Sequence, residues 1–201
     1  MQNYLFLDTE NVVSKKDNKR IVYEVAVIIG NIEGIEWEGC FSFPIPTPYS
    51  EYEYVPSKRL NTVGYTINSR SIRNVEDTIL DKILEHNVYK GFAYNASFDY
   101  EALALAGMDY LANGLQWYDM LQAVRIRWKV DRKNLFRDMQ STWSKNGLKK
   151  SSNLGDVISR LSEIRAIDAR PDHSALADTR ALFGLWQDFR VCHKKTDFPI
   201  E

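Results

Sequence analysis

Short apolar runs of strand length, followed by an alternation of strands with helically patterned segments, predict an α/β domain built on a mixed sheet. Three observations carry that expectation. Tyr4 to Asp8, Ile21 to Ile29 and a third run with Ile35, Trp37, Phe41 and Phe43 on one parity come first, as three strands rich in β-branched and aromatic residues. From Val75 onward, strands and helices take turns along the chain. With 44% hydrophobic and 26% charged residues among 201, the chain can bury one sizeable core, so a single domain is expected over 1–190 with a short polar tail at 191–201.

Each element has its own signal. Gly30-Asn31 and Gly34 punctuate the second and third strands, which predicts a hairpin with a loop of several residues. Residues 44–73 hold four of the six prolines, Pro44, Pro46, Pro48 and Pro56, among many Tyr and Ser, and read as a long irregular connection. Val75, Ile79, Leu80, Ile83 and Leu84 repeat at helical spacing up to His86. Val88 to Tyr94 reads as a strand, Phe98 to Ala106 as a helix, and Leu115 to Tyr118 as a short strand before a helix that begins near Asp119. Leu135 to Trp143 and Leu154 to Ile164 are further helical segments, and a last helix runs from Ala175 to Arg190 with Leu182, Leu185 and Phe189 on one stripe.

Composition excludes several classes of function. Apolar stretches run for about five residues, far below the roughly 20 that a bilayer span needs. Met1-Gln2-Asn3-Tyr4 has no basic cluster leading into an apolar core, which argues against a secretory signal. Cys40 and Cys192 are too few and too distant for a thiolate zinc site or a disulfide framework, so a reducing, cytoplasmic location is expected. The net charge of −1 conceals an uneven distribution. Residues 1–124 hold 10 Lys and Arg against 17 Asp and Glu, whereas residues 125–150 hold 9 against 2. Arg125, Arg127 and Lys129 open that basic segment, which suits either a phosphate-binding flank or a set of solvated helix faces.

Three acidic sites stand out. In Leu5-Phe6-Leu7-Asp8-Thr9-Glu10 two carboxylates lie two positions apart at the end of an apolar strand, where the pleat turns both to one face. Near a core, such a pair requires a cation or a proton, although a strand end fraying into water accounts equally well for an isolated Asp-x-Glu. Tyr94-Asn95-Ala96-Ser97-Phe98-Asp99 again follows an apolar strand; Asn95 and Ser97 also suit a turn or helix cap, and Asp99 a first-turn acid. Asp178 shares the stripe of Leu182, Leu185 and Phe189, so its carboxylate faces inward and requires a metal or a basic partner. Pro171-Asp172 places His173 on the loop that enters this helix, free to face the same site, which makes it a stronger candidate than His86 or His193.

Taken in order, Asp8-x-Glu10, Asn95-x-x-x-Asp99 and His173-x-x-x-x-Asp178 resemble the three motifs of the DnaQ-like DEDDh 3′→5′ exonucleases, over about residues 4–190. Ser174 stands where the related DEDDy branch has Tyr. The resemblance implies a ribonuclease H-like fold, a mixed five-stranded sheet flanked by helices. It further implies two divalent ions held by Asp8, Glu10, Asp99 and Asp178, with His173 as general base and Glu10 beside it in catalysis. Thr9, Asn11 and Asn95 are then expected near the 3′ end of the substrate, with Phe98 stacking on a base or simply packing in the core. One departure is Gly64-Tyr65-Thr66, preceded by Val63 where members often carry His, which puts substrate contacts from that loop in doubt. Tyr49, Tyr52, Tyr54 and Tyr65 offer a stacking platform for single strands, or are plain surface residues.

The chemistry agrees with the resemblance. Hydrolysis of a phosphodiester demands that water be acidified and that the departing 3′ oxygen be stabilised, tasks suited to two ions about 3.5–4 Å apart. Hard carboxylate oxygens favour Mg²⁺ or Mn²⁺. The expected activity is release of nucleoside 5′-monophosphates from the 3′ ends of single-stranded DNA or RNA, with nucleic acid as the partner and no membrane association. Two other readings stand beside it: a non-catalytic module binding nucleic acid or a polymerase on the same fold, and an oligoribonuclease-like hydrolase of short oligonucleotides.

Overall fold

The computed structural model describes residues 1–46, 48–53, 72–124, 154, 157 and 174–192. Three strands lead: β1 (Tyr4–Val13), β2 (Arg20–Gly30) and β3 (Ile35–Ser42). After a 3₁₀ turn at Tyr49–Glu51 come α1 (Ile72–Glu85), β4 (Lys90–Ala93), α2 (Ala96–Ala106), α3 (Asp109–Gly114), β5 (Gln116–Asp119) and α4 (Ala175–Cys192). The helical segments expected at 135–143 and over most of 154–164 lie outside the described residues, as does the connection from 54 to 71.

The five strands form one mixed sheet in the order β3-β2-β1-β4-β5. β1 and β3 each pair antiparallel with β2, while β4 is parallel to both β1 and β5. The hairpin, the alternating half and the mixed sheet all match the sequence pattern. The short helix α3 was not expected; it is fixed by a buried acid, since Glu76 Oε1 on α1 accepts the Leu111 N–H at 2.9 Å.

Strand parity divides the core into two layers. Leu5, Leu7, Val25, Val27 and Ile29 point to the side covered by α1, α2 and α3, through Val75, Ile79, Leu103 and Leu111. Tyr4, Phe6, Ile28 and Phe92 point to the other side, where Leu182, Leu185, Trp186 and Phe189 of α4 close over them. An aromatic cluster fills that second layer: Phe6 lies 5.0 Å from Phe183 and 5.2 Å from Trp186, centroid to centroid. Both layers converge on the middle of β1, and this is where Asp8, Thr9 and Glu10 lie.

One expectation needs correction. β1 does not end at Asp8 but runs to Val13, paired with β2 throughout, so the two carboxylates lie within a strand and not at its frayed end. The extension is held by its own small apolar cluster of Val12, Tyr23, Ile45 and Tyr52, onto which the 48–53 segment folds through a Ser14–Tyr52 bridge. At the opposite end of the hairpin, a Cβ at Gly30 would meet the Gly34 carbonyl oxygen at 2.7 Å and the Phe183 ring at 3.0 Å. Gly30→Ala should therefore destabilise the chain by about 1–3 kcal/mol, read from urea unfolding midpoints.

Candidate metal centre and active site

β1 and α4 together build an acidic cluster. Asp8 and Glu10 project from the same face of β1, and Asp178 descends on them from the first turn of α4. One carboxylate oxygen from each of the three falls within 4.8 Å of the other two. All three residues are half-buried. Asp178 is in place because the sequence puts it on the apolar stripe of α4, and packing of Leu182, Leu185 and Phe189 turns that stripe onto the sheet.

Asp99 is brought in from the other layer. β4 stops at Ala93, short of Thr9, and the Thr9 N–H is taken by Asp99 Oδ1 at 3.0 Å, with the Thr9 hydroxyl donating to the same oxygen at 2.8 Å. Thr9 thus ties the first turn of α2 to the strand between Asp8 and Glu10. Asn11 Nδ2 donates to the Thr9 carbonyl and hydroxyl oxygens at 3.3 and 3.2 Å, while Asn11 Oδ1 is buried with no hydrogen-bond partner among the described residues. Asn95 occupies the residue before α2 in a left-handed conformation, φ 69°, and makes no side-chain cap. Its N–H donates to Asp119 Oδ1 at 3.0 Å, which also accepts the Leu121 N–H at 2.9 Å. Phe98 carries the Arg20 guanidinium over its ring at 4.1 Å, and Arg20 pairs with Glu101. His173, Arg125, Arg127 and Lys129 lie outside the described residues.

Further side chains belong to this neighbourhood and were not singled out from sequence. Pairing between β1 and β2 slips after Glu10–Glu24, leaving Tyr23 as an extra residue on β2. Such a bulge re-aims side chains, and the Tyr23 hydroxyl reaches Glu10 Oε2 at 3.3 Å. Glu24 stands directly opposite Glu10 and is buried. Its signal was present in Ile21-Val22-Tyr23-Glu24-Val25-Ala26-Val27, where one acid interrupts an apolar strand.

Asp8 and Asp99 feel the crowding of their neighbours. Burial holds the Asp8 carboxyl well above the ordinary carboxylate range, and the charges of Asp99, Asp178, Glu10 and Glu24 push it the same way. Burial also raises Asp99, against the two Thr9 hydrogen bonds that favour its ionised form, and Asp119 adds to the rise; the outcome is about 7. Hard oxygen donors crowded at this spacing, with protons held against their normal tendency, fit a divalent cation. Asp8, Glu10 and Asp178 would hold it.

No protein-family model matches the chain. The curated proteins give no match either. Solved structures do. The nuclease domain of 3′hExo, described as a DEDDh family member bound to rAMP, superposes with a TM-score of 0.61 at 11% identity, covering 98% of this chain and 95% of that one. Exonuclease I superposes with a TM-score of 0.57 at 16% identity over 95% of this chain. E. coli exonuclease I in complex with a 5cy-dA13 oligonucleotide gives 0.52 at 14% identity, again over 95%. This chain has the ribonuclease H-like fold. It spans about two fifths of the exonuclease I chains, 41% in each comparison.

The raised carboxyl groups have a measurable consequence. An aspartate whose folded pKa lies above its unfolded value of about 3.9 favours folding below that value, and the contribution is lost as pH rises through the folded pKa, about 7 for Asp99. Asp8 acts in the same direction. The cation-free melting temperature should therefore fall between about pH 5 and pH 8, less steeply in Asp99→Asn, and Mn²⁺ should offset the fall by favouring the ionised cluster. Thermal melts followed by circular dichroism across that window check this; an equal slope in the variant would contradict it.

Proposed function

We propose that the protein is a metal-dependent 3′→5′ exonuclease that releases nucleoside 5′-monophosphates from single-stranded DNA or RNA. The observation that carries this reading is the meeting of Asp8, Glu10 and Asp178 oxygens within 4.8 Å, on a fold shared with exonuclease I and the 3′hExo nuclease domain. A binder of polyanions gains nothing from crowded carboxylates at its centre; a hydrolase that recruits cations does.

In this reading Asp8, Glu10, Asp99 and Asp178 hold two Mg²⁺ or Mn²⁺ ions. When bound, such ions supply charge neutralisation at the phosphate, a more acidic water and a stabilised leaving oxygen. The chain's own residues do the rest. Thr9 keeps the Asp99 carboxylate in register with the Asp8–Glu10 strand. Asn11 offers its buried Oδ1 as an acceptor for the 3′-hydroxyl of the terminal nucleotide, and Asn95 and Phe98 line the approach from the start of α2. His173 takes the proton from the attacking water, with an unperturbed pKa of about 6.5 that suits transfer near neutrality. Arg125, Arg127 and Lys129 bind backbone phosphates upstream of the 3′ end.

A 5′-labelled strand of DNA or RNA should yield a ladder that shortens from its 3′ end with Mg²⁺ or Mn²⁺ and stays intact with EDTA. A covalently closed circle should persist, and its degradation at the linear rate would overturn the exonuclease reading. Asp178→Asn should lower both Mn²⁺ affinity and turnover. His173→Ala should lower turnover by about 10²–10⁴-fold while leaving calorimetric Mn²⁺ affinity near that of the parent. Loss of metal in both variants would make His173 a ligand or a support and not the base. Replacing Arg125, Arg127 and Lys129 with Ala should weaken strand binding and flatten its salt dependence, because fewer counterions are displaced. An unchanged salt slope would reduce the segment to a solvated face.

A further inference from the structure

We infer that Glu24 is the positioning residue that fixes α4, and with it Asp178, against the Asp8–Glu10 pair; the inference rests on reading the acidic cluster as a divalent-cation site. Glu24 lies in the middle of β2 with 8% of its surface exposed, and it stands directly across the ladder from Glu10. Like charges in opposed positions of an antiparallel pair are unfavourable, and a buried carboxylate adds its own desolvation cost. An acid kept there needs compensating donors.

Those donors come from outside the cluster. Glu24 Oε1 accepts the N–H of Ala175 at 3.1 Å and the thiol of Cys40 at 3.6 Å. Ala175 is the first residue of α4, whose opening N–H groups have no partners within the helix and carry its positive end. Ser174 Oγ accepts a second of these, from Ala177 at 3.4 Å. One turn further on, the fully buried Thr179 shares its one hydroxyl proton between the Ala175 carbonyl at 2.6 Å and the Ala26 carbonyl at 3.4 Å. Helix α4 is thus pinned to β2 at positions 24 and 26 through its own residues 175 and 179.

Two anchors a turn apart set both the height of the helix along the strand and its rotation about its own axis. Asp178 lies between them. The Glu24 oxygens are not among the three that meet at the cluster, so its part is to hold the helix that delivers one of them. Partners that orient ligands in this way typically contribute about 10–100-fold in metal affinity.

The test compares two substitutions of similar length in the full chain. Glu24→Gln keeps an oxygen acceptor for the Ala175 N–H and removes the charge, whereas Glu24→Met fills the space with no acceptor. Mn²⁺ affinity by titration calorimetry should stay close to the parent's in Glu24→Gln and fall by about 10–100-fold in Glu24→Met. Amide exchange without metal should show the Ala175 N–H protected in the parent and in Glu24→Gln but not in Glu24→Met. Should Glu24→Met fail to fold, Ala175→Pro deletes the donor instead, at a helix position that accepts proline, and the same loss of Mn²⁺ affinity is expected. Equal loss in Glu24→Gln and Glu24→Met would make the charge the operative feature and Glu24 a ligand, overturning the proposal. So would parental affinity in Glu24→Met. A parent that binds no Mn²⁺ would remove the cation-site reading alone; amide exchange then still decides, since an equally protected Ala175 in Glu24→Met overturns the positioning role.

Discussion

Carboxylates that repel one another are held together here by apolar packing on both sides of a single strand. Bringing Asp8, Glu10 and Asp178 within 4.8 Å carries a cost in mutual repulsion. It is met by the two layers that converge on β1, one built on Leu5 and Leu7, the other on Phe6 under Phe183 and Trp186. Each buried methylene of those layers contributes about 0.8 kcal/mol. The folded chain can therefore sustain an unfavourable local charge distribution because the residues on either side of it are bound so firmly. The raised Asp8 and Asp99 carboxyl groups are the visible sign of that tension.

The polar groups around the cluster serve to keep it in one arrangement. Thr9 connects β1 to the first turn of α2, Tyr23 reaches Glu10 from the bulge, and Asp119 gathers the N–H groups of Asn95 and Leu121 below it. These groups come from β1, β2, β5 and the residue that precedes α2. Convergence of this kind is what a mixed sheet provides: the antiparallel half brings β2 alongside the acids, and the parallel half brings the β4–α2 turn to the same end.

Much of this was legible in the sequence because it rests on periodicity. The hairpin, β4, α2 and α4 follow from alternation of period two or from apolar stripes, and the inward direction of Asp178 follows from its offsets to Leu182, Leu185 and Phe189. What escaped has a different physical basis. Continuation of β1 past Glu10 is decided by a tertiary cluster in which Val12 meets Tyr52, forty residues away, and local pattern carries no trace of that contact. Helix α3 is a single short turn secured by Glu76 from another helix. Glu24 was visible as an acid in an apolar run, but its meaning depends on the N–H of Ala175, more than a hundred residues later. Pairing between distant residues is the information a single sequence withholds.

The register shift between Glu10 and Asn11 divides the hairpin into two stretches with separate footings. Above it, β1 and β2 are bolted to the sheet and to α4. Below it, the arm from Asn11 to Val22 stands on Val12, Tyr23, Ile45 and Tyr52 and is stayed laterally by Arg20 against Phe98 and Glu101. A bulge at that point bends the strand and raises its local twist, so the arm leaves the sheet at its own angle while the pleat that spaces Asp8 from Glu10 keeps the sheet's geometry. The acids thus keep the precision of the sheet while the wall beside them is aimed separately.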